Sequence, residues 1–332
     1  MDAQLSKHDA FELAKKTLMV CGASEENAQP LAHGIIAAEQ EGIKSHGFHY
    51  LPIYCLHLQC QKVKGLANPK INSQSSVAFR VDADNGFAHR AITLGFKELI
   101  PAAKENGIAS LAISNSYNCG VLGFHTQTLA KEKLIGIGFT NAPASIAPVG
   151  GIKPVVGTNP ISVAVYNQGS IKILIDQSAS VIAKSEISVR AKSGEPIPTG
   201  WAFGPDGEDT TDPSIALKGT MAPTGGYKGF GIGLFVEIMT ACLTGANLGT
   251  EASSFADDKG GPPGTGQFFI AINPDKYSNG FEEKITNLIN SIESQDGPRV
   301  PGSKRMDNAI KNAEAPIIIR EDLYNKIISL QN

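Results

Sequence analysis

Two polar segments of the chain carry residue types suited to proton transfer. The first is Ser45-His46-Gly47, which follows a predicted helical segment, and an imidazole can give or take a proton near neutral pH. The second is Asp176, which ends the apolar run 171–175, where a strand would leave its sheet. A carboxylate there could polarise a histidine, but an isolated histidine is usually structural, and Asp176 could equally cap a helix begun by residues 177–180.

Glycine-bearing segments form a second group of candidates, and they cover residues 115–123, 147–151, 157–160 and 223–229. Each could bring backbone N–H groups close to a ligand, and each could also be an ordinary turn. Lys228, between Gly226 and Gly229, is either a phosphate partner at a helix entrance or a solvated surface lysine. Both interpretations of these segments, ordinary turns and ligand-binding loops, stay open.

The fingerprint of a Rossmann dinucleotide-binding domain is absent from the sequence. That fingerprint is G-x-G-x-x-G directly after a strand, with an acidic residue about 20 positions later. The nearest imitation, at Gly229, Gly231 and Gly233, lacks the preceding strand, and close helix packing explains it as well as phosphate contact. A Rossmann dehydrogenase is therefore disfavoured.

The elements that must position these residues predict an α/β protein. The first 60 or so residues have helical periodicity, with Ser6 and Ser24 as N-caps. Short strand-like runs then recur, separated by helical patterns at 91–106 and 126–133; these runs are 77–81, 109–113, 135–139, 161–165 and 171–175. Helical patterns return at 281–293 and 320–330, so both ends of the chain are expected to pack together as one helical unit.

Composition excludes several classes of protein. Acidic residues, 32 in number, nearly balance 29 basic ones, and no basic run marks a nucleic-acid binder. The longest apolar stretch, 230–243, contains Glu237 and is too short to span a bilayer, and the N-terminus lacks an apolar signal segment. We therefore expect a cytoplasmic protein with no membrane partner. The five cysteines lack C-x-x-C spacing, so neither disulfides nor a metal site is predicted.

Short motifs in a fixed order carry a resemblance to a known family. They are Ser45-His46-Gly47, Asn115-Ser116, Gly157-Thr158-Asn159-Pro160, Asp176 with Ser180, Gly200-Trp201-Ala202, Thr211-Asp212-Pro213, Gly225-Gly226-Tyr227-Lys228-Gly229 and Arg299-Val300-Pro301-Gly302. Together they resemble the type-2 malate/L-lactate dehydrogenase family over nearly the whole chain. The resemblance implies a family-specific, non-Rossmann NAD(P)-binding α/β domain at 75–302. It also implies a helical domain formed by 1–74 with 303–332.

The resemblance also implies roles for individual residues. Ser45, His46 and Asp176 would form a proton relay while a hydride reaches carbon 2 of a small carboxylate substrate. The residues implied to border NAD or NADP are Asn118, Cys119, Gly120, Val121, Leu122, Leu174, Ile175, Asp176, Tyr227, Lys228, Arg299, Pro301 and Gly302. Those implied to border the substrate are His49, Tyr50 and Thr158. Reductase members favour NADPH, and family members form homodimers.

Two departures from the family pattern bear on the substrate. Tyr50 stands where the family often has an arginine that clamps a carboxylate. Either His49 or another cation compensates for the missing arginine, or the substrate differs. Asn118 stands where many members have a histidine, and an amide cannot shuttle a proton. Segments 119–123 and 251–255 look most like the branch with sulfolactate dehydrogenases, which favours a 2-oxo acid. Cyclic imino acids, or a silent nucleotide-binding homologue, are the alternatives.

Overall fold

The computed structural model describes residues 1–73 and 75–331, and its strands build one large sheet and two small ones. In chain order the strands are β1 (Ala3–Leu5), β2 (Lys70–Asn72), β3 (Ala78–Asp82), β4 (Ile108–Ser116), β5 (Ile135–Thr140), β6 (Ile161–Asn167), β7 (Ser170–Gln177), β8 (Ala202–Phe203), β9 (Thr220–Met221), β10 (Thr265–Ile272) and β11 (Ile317–Ile319). The large sheet has the order β2-β3-β4-β10-β5-β6-β7. β1 pairs with β11, and β8 pairs with β9.

The helices surround this sheet and extend beyond it. They are α1 (Lys7–Val20), α2 (Glu25–Gln40), α3 (Leu51–Gln59), α4 (Ala88–Asn106), α5 (Leu122–Lys131), α6 (Lys184–Ser193), α7 (Pro213–Ala216), α8 (Tyr227–Glu237), α9 (Phe281–Glu293), α10 (Ser303–Lys311) and α11 (Glu321–Ser329). α8 continues into a π-helical turn, Ile238–Cys242. No helix within the described ranges combines the length and the hydropathy that a membrane crossing requires.

The strand pairing of the large sheet explains the missing nucleotide fingerprint. Among the described strands, β3 and β4 are parallel neighbours, whereas the other pairs of this sheet are antiparallel. β10 comes late in the chain and lies between β4 and β5, with Phe269 opposite Leu111 on one side and Gly138 on the other. A Rossmann domain instead needs an open, mostly parallel sheet. The α/β fold class is confirmed, and so is its non-Rossmann character.

Both faces of the sheet are covered, because successive side chains of a strand point to opposite sides. Leu111 and Phe269 belong to a core that is shared with α4. Their neighbours Ala112 and Phe268 belong to the opposite core, which Val236 of α8 completes. The sheet is therefore a rigid central layer, and the ends of its strands can hold side chains in fixed positions.

The two ends of the chain pack together through 320–330, as the sequence predicted, whereas the helix at 281–293, α9, lies on β6 and β7 because its apolar face covers Val165 and Ile173. Leu18, Leu31 and Tyr54 of the first three helices share one core with Ile319 and Ile327 near the C-terminus. α1 begins where predicted, because the Ser6 hydroxyl accepts a hydrogen bond from the Asp9 N–H. The exact division into a helical domain and an α/β domain remains a prediction.

Candidate active site

A single helical turn, Lys44–His46, presents the predicted histidine. The Ser45 hydroxyl lies 3.0 Å from Nδ1 of His46, and in the tautomer that accepts this bond the ring proton is on Nε2. The ring of Tyr50 lies nearly parallel to the imidazole, with 6.3 Å between centroids and 8° between planes. A Cβ at Gly47 would displace the Glu39 carboxylate, which accepts a hydrogen bond from the Phe48 N–H at 2.8 Å. The local sequence therefore fixes the orientation of His46.

Asp176 lies within the last residues of β7, and the next helix, α6, begins only at Lys184. It therefore does not cap a helix, and the strand-end reading is the correct one. Its Oδ2 atom accepts two hydrogen bonds, one from the Gly123 N–H at 3.0 Å and one from Arg305 Nη1 at 2.7 Å. Two donors on one oxygen hold this carboxylate in a fixed orientation.

Arg305 and Glu41 belong to the same constellation, although the sequence did not single them out. Glu41 Oε2 accepts from Arg305 Nε at 3.0 Å and from Nη2 at 2.6 Å. Glu41 Oε1 accepts from the Gln127 side chain at 2.8 Å. An arginine three residues after Gly302 and an acidic residue at the end of α2 carry no local signal of this pairing, so only the tertiary structure reveals it.

Charge, rather than a direct hydrogen bond, connects Asp176 with His46. Burial lowers the pKa of His46, the nearby Asp176 charge raises it, and the Arg305 charge lowers it again. Within residues 1–73 and 75–331, no hydrogen bond joins the Asp176 carboxylate to the His46 ring. The net lowering favours the neutral imidazole at neutral pH.

A cavity of about 700 Å³ lies beside these residues. Its lining residues are Glu41, Gly42, Ile43, Leu174, Ile175, Asp176, Gln177, Arg299, Pro301, Gly302, Lys304, Arg305 and Asn308. Every predicted cofactor residue of β7 is in this set, and so are Arg299, Pro301 and Gly302. The structure thus brings together two segments that are far apart in the sequence.

The walls of this cavity fit a dinucleotide. The volume lies in the range of small-molecule and cofactor sites, roughly 300–1,000 Å³. Gly302 caps α10 in a left-handed conformation, and a Cβ on it would lie 2.5 Å from the Leu174 Cβ. The start of α10, with Arg299 and Lys304 nearby, offers N–H groups and positive charge to phosphates. Arg299, Gly302 and Lys304 are therefore the residues that would hold the charged part of such a ligand.

The predicted cofactor loop, residues 118–122, lies next to Asp176, since the following N–H of Gly123 donates to that carboxylate. The Asn118 side chain accepts from the Gly120 N–H at 2.6 Å, and Gly120 has a positive φ of 66°. Below the loop, Nε2 of the buried His125 donates to the Cys119 carbonyl at 2.9 Å. Asn118 thus shapes the backbone of this loop.

Acidification is expected to destabilise the fold through the histidines under this loop. Burial lowers the pKa of His125 to about 4, and burial, followed by the neighbouring His125, lowers that of His89 well below 6.5. Both are neutral when folded, so the unfolded chain binds more protons below about pH 6.5. The contribution of these histidines to the free energy of unfolding is fully present above that pH and is lost as the pH falls towards 4. His125 alone is expected to lower the free energy of unfolding by about 2 kcal/mol at about pH 5.

Urea unfolding measured between about pH 8 and pH 5 tests this expectation. His125→Gln should flatten the pH dependence, because an amide can keep the bond to Cys119 without titrating. His8→Gln, at an exposed position on α1, is the matched control and should leave the pH dependence as it is. A wild-type stability that is constant over this range would contradict the assignment.

The remaining predicted residues lie in three other places. Thr158 is half-buried, and its carbonyl accepts from the Ala179 N–H at 2.7 Å. His49 is exposed, whereas Tyr50 is half-buried, and burial raises the pKa of Tyr50 to about 12.

Tyr227 and Lys228 are exposed in the first turn of α8 and, within the described residues, do not line the 700 Å³ cavity. Gly229 packs against the Thr224 backbone, so close packing explains this glycine. Gly226 instead lines a second cavity of about 520 Å³.

A buried carboxylate that the sequence did not predict as a site residue supports the Thr158 turn. Glu237 Oε2 accepts from the Asn159 side chain at 2.7 Å, and Oε1 accepts from the Gly249 N–H at 2.6 Å. Asn159 has a positive φ of 36°, which asparagine tolerates better than most residues. These bonds hold Asn159, directly after Thr158, and tie it through Glu237 to the segment around Gly249.

Comparison with known proteins places this site in a family. Residues 5–328 match the malate/L-lactate dehydrogenase family. A (2R)-3-sulfolactate dehydrogenase (NADP(+)) of Chromohalobacter salexigens is 39% identical over 305 residues, which are 92% of this chain and 91% of that protein. A Delta(1)-pyrroline-2-carboxylate reductase of Ancylobacter novellus is 33% identical over 331 residues, covering 98% and 97% of the two chains.

The fold has solved counterparts as well. The crystal structure of delta1-piperideine-2-carboxylate reductase from Pseudomonas syringae superposes with a TM-score of 0.94 at 30% identity and covers 99% of each chain. The molecule is therefore an NAD(P)-dependent oxidoreductase. Within that class, the chain belongs to the malate/L-lactate dehydrogenase family.

Proposed function

We propose that this enzyme uses NAD(P)H to reduce carbon 2 of a small 2-oxo carboxylate to the 2-hydroxy acid. The observation that carries the proposal is the Ser45–His46 pair, together with an Asp176 carboxylate whose charge acts on His46 and which lines a cavity of dinucleotide size. A bound NAD(P)H supplies the hydride. A silent homologue would have no need of a histidine whose ring is oriented by Ser45 and Tyr50 and whose pKa is lowered by burial and adjusted by the charges of Asp176 and Arg305.

The protein residues supply the proton. Protonated His46 gives the proton on Nε2 to the substrate oxygen and becomes neutral, and Ser45 keeps the ring oriented through Nδ1. Asp176 stabilises the positive charge that the ring acquires when it is reprotonated. Thr158, His49 and Tyr50 are the proposed substrate neighbours, and His49 is the cation candidate that replaces the family arginine.

The proposed cofactor contacts extend beyond the 700 Å³ cavity. Residues 118–122 and 174–176, with Arg299, Pro301 and Gly302, would border the nucleotide, and Lys228 would face a phosphate. NADPH is the preferred form in this proposal, and the name of the Chromohalobacter relative, which includes NADP(+), supports it. Positive charge at Arg299 and Lys304 is compatible with the extra phosphate of NADPH.

Reduction of a cyclic imino acid is the second candidate function. It is favoured by the relatives named as pyrroline- and piperideine-2-carboxylate reductases, which match nearly the whole chain. The same His46 proton would then go to a nitrogen instead of an oxygen.

The first test is the oxidation of NADPH and of NADH by the purified protein against a small panel of substrates. The panel contains pyruvate, oxaloacetate, sulfopyruvate, 2,3-diketogulonate, and pyrroline- and piperideine-2-carboxylate. Turnover of a 2-oxo acid supports the main proposal, and turnover of the cyclic imines alone supports the second. Nucleotide binding with no turnover of any of these compounds would contradict both.

We also propose that the enzyme is a homodimer that buries the outer face of α8 and the π-helical turn. This face is apolar and exposed: Leu234, Phe235, Ile238 and Leu243 are 41%, 47%, 48% and 56% exposed. Contiguous exposed apolar surface on a protein usually marks a contact with another molecule. A second copy of the chain fits, since family members form dimers.

Substitution on this face is expected to dissociate the dimer. Light scattering during size-exclusion chromatography should give twice the mass of one chain for the wild type and the mass of one chain for Leu243→Glu, because a buried unpaired carboxylate opposes association. Leu66→Glu is the control, since Leu66 is 70% exposed and lies outside this face. A monomeric wild type, or equal dissociation by both variants, would contradict the proposed interface.

A further inference from the structure

Arg305 stands between two carboxylates that come from different parts of the fold. Its Nε and Nη2 atoms donate to Glu41 at the end of α2, and its Nη1 atom donates to Asp176 at the end of β7. The three side chains are 19%, 7% and 12% exposed, so their charges interact in a partly desolvated setting. One guanidinium on α10 therefore fixes the position of Asp176, the carboxylate of the proposed relay.

We propose that Arg305 is a positioning residue, which holds Asp176 by its Oδ2 atom and so limits how strongly this carboxylate favours the protonated form of the His46 ring. The inference rests on the proposed function and adds a residue to it. The Asp176 carboxylate accepts hydrogen bonds from Arg305 and from the Gly123 N–H, and these donors offset part of its negative charge. Without the guanidinium, the full carboxylate charge would act on the imidazole, which would then bind its proton more tightly.

Several charged groups from different elements surround His46. Asp176 from β7 and Arg305 from α10 act on the ring with opposite signs, while burial lowers its pKa. Tyr50 covers one face of the ring, and Lys44 lies in the same turn. Glu41 is connected to this site by its ion pair with Arg305, and Lys304 lines the adjoining cavity.

The geometry also says what Arg305 does not do. Three of the five N–H groups of its guanidinium donate to carboxylates of the protein. The two carboxylates outweigh the single positive charge of Arg305, so this cluster offers no net positive charge to a substrate carboxylate. Arg305 therefore does not replace the family arginine that is absent at Tyr50, and its effect on the reaction passes through Asp176 and His46.

The test is an NMR titration of the His46 side chain in the full-length protein without substrate. The His46 signal is assigned by its absence in His46→Ala. Arg305→Met should raise the titration midpoint by about one pH unit, since a lost positive charge and a freed carboxylate both favour the imidazolium. Arg305→Lys keeps the charge and should restore most of the wild-type midpoint. Glu41→Gln breaks the same network but leaves Arg305 on Asp176, so it should not raise the midpoint.

The pH profile of activity gives the second measurement. Reduction needs protonated His46, so the pH at which kcat/KM falls on the alkaline side should move up in Arg305→Met by the same amount as the titration midpoint. If Arg305→Met titrates like the wild type, or if Glu41→Gln raises the midpoint equally, the inference is wrong and the network is only structural.

The titration separates this inference from the proposed function, because it needs no turnover. A raised midpoint without activity would support the role of Arg305 while contradicting the proposed reaction, and activity with an unmoved midpoint would do the reverse. Arg305→Met leaves Glu41 buried without its partner, which destabilises proteins strongly. If that variant does not fold, the double variant Glu41→Gln, Arg305→Met removes both charges, and the same rise is expected.

Discussion

Replacing His46 by alanine is expected to lower kcat by roughly 10²–10⁴-fold, the usual contribution of a general acid. His46 is the group that meets the substrate proton in the proposed reaction, and Ser45 holds its ring at 3.0 Å. Nucleotide affinity should change by no more than about threefold, since the effect belongs to the proton-transfer step. Steady-state kinetics and a fluorescence titration with NADPH measure the two quantities separately.

Two further variants make this result interpretable. Ser45→Ala should lower kcat less than His46→Ala, because it loosens the ring without removing the proton donor. His8→Ala, at an exposed histidine on α1, should have no effect on turnover. Comparable losses of turnover and of nucleotide binding in His46→Ala would show that His46 belongs to the cofactor site instead.

Replacing Gly302 by alanine is expected to destabilise the protein by about 2–4 kcal/mol and to weaken nucleotide binding by roughly 10–100-fold. Gly302 has a φ of 88°, and an added Cβ would meet the Leu174 Cβ at 2.5 Å and the Leu174 carbonyl oxygen at 2.8 Å. The Leu174 N–H also donates to the Pro301 carbonyl at 2.9 Å, so the two segments cannot separate freely. Because both segments line the cavity, relief of the collision must change its shape.

Gly297→Ala is the matched control for this variant. Gly297 has a similar φ of 96°, but its added Cβ would meet nothing within 4 Å. It should therefore show only the strain of a left-handed alanine, about 1–2 kcal/mol, with normal nucleotide binding. Urea unfolding measures the stability of both variants, and titration with NADPH measures their nucleotide affinity. Equal effects in the two variants would mean that the contact with Leu174 does not shape the site.

Much of the fold followed from local patterns. The strands at 77–81, 109–113, 135–139, 161–165 and 171–175 all lie in the large sheet, and the helical termini pack together. β10, the strand between β4 and β5, was not predicted from the sequence. Its residues 267–272 are almost continuously apolar because both faces of this central strand are covered, so they lack the alternation that marks a half-exposed strand.

The sequence by itself determined which residues could do the chemistry. Ser45 and His46 are neighbours in the chain, and Gly47 allows the turn that presents them, so their geometry is local. Asp176 could be placed at a strand end, because a run of apolar residues leads to it. Turns and strand ends depend on nearby residues, and one sequence is enough to find them.

The tertiary structure alone decided which charges act on those residues. Arg305 follows Asp176 by 129 residues and Glu41 by 264, and no spacing rule connects positions so far apart. The cavity likewise has walls from the turn after α2, from β7 and from the start of α10, which meet only when the sheet and the terminal helices pack. Electrostatic interactions depend on distance in space and on burial, and neither quantity exists until the chain has folded.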